Sequence, residues 1–145
     1  YQKLDTTKVG AMGHSQGGQG TVSVVSDARV QAVIIWNMTS STSKPFLAVS
    51  GDMDVTGLTA TSMRRAVDSA RVKAAFLFYH MVPDTGSASG HLTLMTQPER
   101  VVEPAVAWWK YILSADPASK AYFAGTDCKL CNRQAEFDFG QKGLD

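Results

Sequence analysis

The feature that most constrains this chain is the run Val-Gly-Ala-Met-Gly-His-Ser-Gln-Gly-Gly over residues 9–18. A short apolar segment of β type leads into Gly13-x-Ser15-x-Gly17, and small residues follow where a helix would begin. We expect glycine on both sides of the serine because a Cβ there would collide with the adjoining strand or helix. The pattern predicts a nucleophile elbow, a strained turn that presents the Ser15 hydroxyl to a cleft.

The helix after such an elbow directs its N-terminus, and with it a partial positive charge, at the place where negative charge develops during acyl transfer. The backbone N–H of Gln16 is therefore the predicted oxyanion-hole donor. A Gly-x-Ser-x-Gly run also occurs by chance in turns rich in glycine and serine. The strand-like segment before it and the helix-like segment after it favour the catalytic interpretation over a structural turn.

A serine hydroxyl becomes a strong nucleophile when a neighbouring base takes its proton and a carboxylate orients that base. On an elbow scaffold the chain order is serine, acid, histidine. The chain has three histidines. We predict His91 as the base because it follows the last predicted parallel strand, whereas His14 lies inside the elbow and His80 within a strand.

The acid is predicted in the segment Ser-Gly-Asp-Met-Asp that ends at Asp54. Both Asp52 and Asp54 follow a predicted strand. Asp54 lies further into the loop, where it can reach round to a base, so we predict it as the acid and assign Asp52 to the turn. Asp84, in the loop before His91, is a third candidate.

Two further residues are assigned to substrate binding. His14 precedes the serine directly, and Trp36 ends the strand that follows the elbow helix. A tryptophan at that place can line a substrate cleft, and it can equally be an aromatic residue of the core. Both interpretations of Trp36 stay open at this point.

Hydrophobic periodicity predicts an alternation of strands and helices. We expect strands at 9–12, 30–37, 45–50 and 73–82, and helices at about 17–27, 56–72, 98–114 and 117–123. This order predicts the α/β class with a mostly parallel, doubly wound sheet. One domain spans residues 1–145, and residues 125–145 form a tail that carries both cysteines. Ser15, Asp54 and His91 all follow strand ends, the rim where such sheets bind ligands.

Composition excludes several classes of function. The net charge of +1 gives no electrostatic case for binding nucleic acid or an anionic membrane. No apolar run approaches the ~18 residues of a membrane span. The sequence shows no cofactor motif and no clustered metal ligands, so we predict neither a cofactor nor a metal.

Cys128-Lys-Leu-Cys131 is the only cysteine pair. A redox site would need the pair at a helix start within a βαβ unit, and a zinc site would need about two more ligands. A small disulfide is the simplest interpretation and indicates an oxidising compartment, so we expect a secreted or periplasmic protein. Pairing with cysteines of a longer protein is the alternative.

Four segments together are similar to a known family: residues 5–18, 45–54, 89–91 and 106–113. They resemble the C-terminal half of α/β hydrolases in the group of cutinase-like polyester hydrolases, dienelactone hydrolases and platelet-activating-factor acetylhydrolases. The resemblance extends from residue 5 to about residue 123. Its motifs are specific for fold and triad and leave the substrate open.

The resemblance implies an α/β-hydrolase fold with Ser15 as nucleophile, Asp54 as acid, His91 as base and the Gln16 N–H as oxyanion donor. In polyester hydrolases the strand after the elbow helix also ends in a cleft tryptophan, which Trp36 matches. Those enzymes usually carry an aromatic residue and a methionine beside the serine, where this chain has histidine and glutamine. Their second oxyanion donor lies in the N-terminal half.

The early position of the elbow strand carries an expectation about partners. In doubly wound hydrolases this strand has neighbours on both sides, whereas here it would lie at an open edge with exposed pairing groups. We therefore expect that the chain is the C-terminal part of a longer protein. The N-terminal half, joined to it or as a companion chain, would supply the remaining strands.

These features predict a serine hydrolase that cleaves small-molecule or polymeric carboxylic esters through an acyl-enzyme. One alternative is a serine hydrolase for amide or peptide bonds. Another is a non-catalytic binding module that keeps the hydrolase fold. The complete set of serine, acid and histidine argues against a binding module, which has no need of all three.

Overall fold

The computed structural model describes residues 4–80 and 90–145, which form a five-stranded sheet with flanking helices. The strands lie in chain order, β1 (Val9–His14), β2 (Val30–Trp36), β3 (Phe46–Gly51), β4 (Ala74–Tyr79) and β5 (Phe137–Lys142). Strands β1 to β4 pair in parallel, and β5 pairs antiparallel with β4. The predicted α/β class and mostly parallel sheet are confirmed.

The helices are α1 (Gln16–Ser23), α2 (Ala60–Ser69), α3 (Thr93–Thr96), α4 (Pro98–Ser114) and α5 (Pro117–Lys120). Helix α2 begins later than predicted because Thr59 and Ser62 form a capping box: each side-chain oxygen accepts a hydrogen bond from the other residue's backbone N–H. Helix α4 has the predicted bounds. It ends where Ala115 takes a left-handed conformation with φ of 52°.

Helices cover both faces of the sheet, as the buried character of β2, β3 and β4 requires. Alternate strand residues face opposite layers. One core layer joins the sheet to α4 and the C-terminal segment, and the other joins it to α2. The largest buried side chains on the α4 side are Trp108, Tyr79, Phe123 and Phe137, and on the α2 side Phe46, Phe76, Ile35 and Met63.

Strand β5 is a difference from the sequence prediction, which treated residues 125–145 only as a tail with a cysteine pair. Phe137 and Gly140 are buried, Asp138 is exposed and Phe139 is half-buried, so the segment lacks the two-residue alternation of a strand with one covered face. Gly140 fits tightly, since a Cβ there would lie 2.5 Å from the ring of Phe76. Without that alternation the segment gives little sign of a strand, and the β-α-β order that predicts parallel strands does not indicate an antiparallel strand after a loop.

Strand β1 lies at one end of the sheet. It pairs with β2, and its other edge has no strand partner in the part of the chain that the structure describes. Met12 is 63% exposed on this strand, and Gly10 lies against the ring of Trp109. Gly10, Met12, Trp109 and Leu113 line a shallow apolar depression along this edge.

The disulfide Cys128–Cys131 is confirmed. Among residues 4–80 and 90–145, no helix has the length and apolar character needed to cross a membrane. The same ranges hold no group of three or more histidine, cysteine, aspartate or glutamate side chains placed to bind a metal ion.

The disulfide closes a very short loop, so we expect a modest effect on stability. The chain-entropy relation gives about 2 kcal/mol for a loop of this size. Replacing both cysteines, C128A/C131A, should lower the free energy of unfolding by about that amount in urea titrations. The wild type reduced with dithiothreitol is the matched control, because it loses the bond and keeps both sulfur atoms. Equal unfolding curves for oxidised and reduced protein would contradict the estimate.

Candidate active site

Ser15 is the single residue between β1 and α1. Its φ of 56° and ψ of −118° lie where L-residues are strained. The backbone N–H of Ser15 donates to the Trp36 carbonyl at 2.9 Å, which fixes the turn against the end of β2. The predicted sharp, strained turn is therefore found at the predicted serine. Gln16 is the first residue of α1, so its N–H belongs to the first turn of that helix.

Close packing explains one of the two flanking glycines. A Cβ on Gly13 would lie 2.1 Å from the Gly17 carbonyl oxygen and 2.7 Å from Oγ1 of Thr21. The expectation of a collision at Gly17 is wrong, because no described atom outside the adjoining residues and the backbone of α1 lies within 4 Å of the place where its Cβ would stand. Gly18 is packed more tightly, since a Cβ there would lie 3.2 Å from the Trp36 carbonyl oxygen. Helix and strand are thus pressed together at Gly13 and Gly18.

The predicted base and acid meet directly. Nδ1 of His91 lies 2.9 Å from Oδ1 of Asp54, and the two side chains are 14% and 0% exposed. An ionised carboxylate only accepts hydrogen bonds, so Nδ1 carries the proton and donates it. The lone pair of neutral His91 is then on Nε2, the arrangement that a base of a serine triad requires.

Asp54 is surrounded by hydrogen-bond donors. Its Oδ2 accepts from Oγ of Ser50 at 2.5 Å and from Nδ2 of Asn37 at 2.8 Å. Its Oδ1 accepts from the backbone N–H and the hydroxyl of Thr56 at 2.9 and 2.7 Å. Burial on its own raises the pKa of Asp54, and the hydrogen bonds from Ser50, Asn37 and Thr56 outweigh it and lower the pKa to about 2. The carboxylate is therefore charged at neutral pH.

Asn37 is a site residue that the sequence reasoning missed. It is buried, 2% exposed, with a φ of 55°, and it follows β2 directly. Besides Asp54, its Nδ2 lies 3.0 Å from the Gly90 carbonyl oxygen and 3.3 Å from Oγ of Ser50. An asparagine just past a buried strand, at the same rim as the triad candidates, was the available signal. The other residues that donate to Asp54, Ser50 in β3 and Thr56, were missed as well, and no such signal marked them in the sequence.

The approach of His91 to Asp54 depends on Gly90. The Gly90 N–H donates to the Asp52 carbonyl at 2.7 Å. A Cβ on Gly90 would lie 2.3 Å from the carbonyl carbon of Gly51 and 2.5 Å from the Asp52 carbonyl oxygen. Only a residue without a side chain lets the two backbones come this close.

The structure also locates the other acid candidates. The carboxylate of Asp52 lies 3.6 Å from Nδ1 of His80, whose Nε2 is 3.8 Å from Asp138. The carboxylate that contacts His91 is that of Asp54. Asp84 and most of the predicted loop at 83–90 lie outside the described residues.

The two predicted substrate-binding residues have different surroundings. Nε2 of His14 lies 2.7 Å from the His91 carbonyl oxygen, and the two rings are 4.8 Å apart. Trp36 is 3% exposed and packs in the core layer on the α4 side, which agrees with the alternative of a core aromatic. Its indole Nε1 has no hydrogen-bond partner among the described residues. Contact of either side chain with a substrate stays a prediction.

Comparison of the sequence with known proteins does not assign the chain to a family. No protein-family model matches the chain, and no curated protein matches it.

Replacing Asn37 with glycine tests the network around Asp54. Glycine accepts the positive φ, so the N37G variant loses the amide without new backbone strain. We expect the Asp54 pKa to rise from about 2 and the unfolding free energy at neutral pH to fall by about 1–3 kcal/mol. Urea titrations and carboxyl-carbon NMR measure these two quantities.

The pH dependence supplies a second readout for N37G. A lowered carboxyl pKa stabilises the fold above the unfolded-state value of 3.8, and that stabilisation is lost as the pH falls through about 2. The variant should therefore lose less stability over this interval than the wild type. A115G is the matched control, since Ala115 has a similar φ of 52° and ends α4. Equal changes in both variants would contradict the role of the amide.

Proposed function

We propose that this chain carries the catalytic part of an α/β hydrolase that cleaves carboxylic esters. The observation that carries the proposal is the 2.9 Å contact between Nδ1 of His91 and the buried Asp54 carboxylate. A strained serine stands at the strand-to-helix turn directly after His14. The hydrogen bond from His14 to the His91 backbone joins the segment of the base to the strand of the serine. These three residue types in this arrangement support nucleophilic acyl transfer.

The proposed reaction begins when Oγ of Ser15 attacks the ester carbonyl carbon and Nε2 of His91 takes the hydroxyl proton. The Asp54 carboxylate stabilises the imidazolium and keeps its own charge. The Gln16 N–H stabilises the developing oxyanion. His91 then returns the proton to the leaving alcohol, and an acyl-Ser15 ester remains. Water then attacks the acyl carbon while His91 takes its proton, and His91 gives that proton to Oγ of Ser15 as the bond to the acyl group breaks and the carboxylic acid leaves.

The outer edge of β1, which has no strand partner among residues 4–80 and 90–145, supports a proposal about what surrounds this site. Exposed Met12 and the apolar depression beside Trp109 follow an edge whose backbone groups are open to pairing. We propose that the N-terminal half of the same protein, in one chain or as a companion chain, adds strands there and supplies the second oxyanion donor. The disulfide is compatible with an extracellular location, and we propose a secreted or periplasmic protein.

Labelling with a fluorophosphonate probe tests the nucleophile. We expect the probe to modify Ser15, located by peptide mapping, and the S15A variant to remain unlabelled. Ser23, at the end of α1, offers the matched control, because S23A removes a serine of the same helix region and should label like the wild type.

The outcomes separate the alternatives. Labelling of this chain at Ser15 supports a site that assembles within these residues. Labelling that requires the N-terminal half supports the partner proposal. Absence of labelling in folded protein under both conditions would overturn catalysis and favour a binding module.

The identity of the acid is tested by two matched substitutions. D54N removes the charge that holds His91 in its Nδ1–H tautomer, so kcat for p-nitrophenyl acetate should fall by roughly 10⁴. D52N changes a carboxylate that lies beside His80 and should leave kcat within a factor of about 10 of the wild type. A greater loss in D52N than in D54N would assign the role to the other acid.

A further inference from the structure

His14 connects the two halves of the proposed machinery. It is the last residue of β1 and precedes Ser15. Its Nε2 lies 2.7 Å from the backbone carbonyl oxygen of His91, and the two rings pack at a centroid distance of 4.8 Å with planes inclined by 59°. The histidine therefore spans the distance from the strand of the nucleophile to the segment of the base.

The direction of this hydrogen bond follows from its acceptor. A carbonyl oxygen has no proton, so Nε2 of His14 carries one and donates it. The neutral Nε2–H tautomer and the imidazolium both do so, and the bond does not depend on the charge of His14. Nδ1–H is the one neutral form that could not make it.

Gly90, the residue before the proposed base, makes its contacts with other strands of the sheet. Gly90 donates to the Asp52 carbonyl oxygen and accepts from the Asn37 amide, so it is fixed to the ends of β3 and β2. These contacts align His91 with Asp54. The hydrogen bond from His14 is made to the next carbonyl along the chain, that of His91, and holds it to the end of β1.

This arrangement affects the transfer of the proton from Ser15. Ser15, which directly follows His14, is held in place because its backbone N–H donates a hydrogen bond to the Trp36 carbonyl oxygen. A displacement of His91 away from β1 would stretch the His14 bond. Displacements of about 1 Å between reacting groups cost roughly 10²-fold in rate.

We propose that His14 is a positioning residue that sets the separation of base and nucleophile through its Nε2–H bond to the His91 carbonyl. This inference rests on the proposed function and adds a role to a residue predicted to bind substrate. The role belongs to the donated hydrogen bond, and the aromatic ring is secondary.

Two substitutions separate the donor from the ring. H14F keeps an aromatic ring and removes the donor, whereas H14Q removes the ring and keeps an N–H donor at a similar distance from the backbone. Both are made in the full protein, together with any N-terminal half that activity requires. The readouts are kcat and KM for p-nitrophenyl acetate and p-nitrophenyl butyrate and the rate of fluorophosphonate labelling.

We expect H14F to lower kcat by about 10- to 100-fold for both esters with KM nearly unchanged, and H14Q to recover most of the loss. Labelling rates should follow kcat. Unchanged kcat in H14F, equal losses in H14F and H14Q, or a change confined to KM that differs between the esters would each overturn the proposal. The last result would indicate substrate contact.

A measurement on the unaltered protein covers the case in which a variant fails to fold. Nitrogen-15 NMR of the His14 ring should show the proton on Nε2 in the neutral form, and a proton on Nδ1 would overturn the proposal. Failure of the proposed function is distinguishable, because the wild type itself would then remain unlabelled at Ser15.

Discussion

The buried carboxylate of Asp54 is the interaction on which the rest of the site depends. A charge in the protein interior is costly unless donors surround it, and here Ser50, Asn37, Thr56 and His91 all contact it. Burial raises its pKa, and the hydrogen bonds from Ser50, Asn37 and Thr56 outweigh burial and lower the pKa to about 2, so the negative charge persists at neutral pH. That charge fixes the proton of His91 on Nδ1 and leaves Nε2 basic. Removal of a donor therefore affects both stability and the orientation of His91.

The parallel sheet explains why these donors converge. The carboxyl ends of β1, β2 and β3 meet at one rim, so Ser15, Asn37 and Asp54 become neighbours although they are distant in sequence. Gly90 and His91 lie at the same rim, where the Gly90 backbone lies almost against Gly51. The geometry of the site therefore follows from the sheet and from the close backbone approaches at Gly13 and Gly90.

Local patterns predict the parts of this structure that local chemistry determines. The sharp strained turn at Ser15, the bounds of α4, the α/β class and the disulfide follow from residue spacing and periodicity, and the structure agrees with each. The role of Asn37 depends on a contact with Gly90, more than fifty residues away, which no short pattern contains. Strand β5 is stabilised by pairing with β4, which no pattern of neighbouring residues indicates. The open space beside Gly17 depends on the path of α1, which the local sequence does not indicate either.

Proton NMR of the bond between His91 and Asp54 tests the central claim most directly. A proton held between an imidazole Nδ1 and a buried carboxylate resonates far downfield and exchanges slowly with water. The account predicts such a signal in the wild type, coupled to Nδ1 of His91 and lost in the D54N variant. Absence of that signal, with neutral His91 protonated on Nε2, would contradict the account, because the proposed base would then have no lone pair on Nε2 to accept the proton of Ser15.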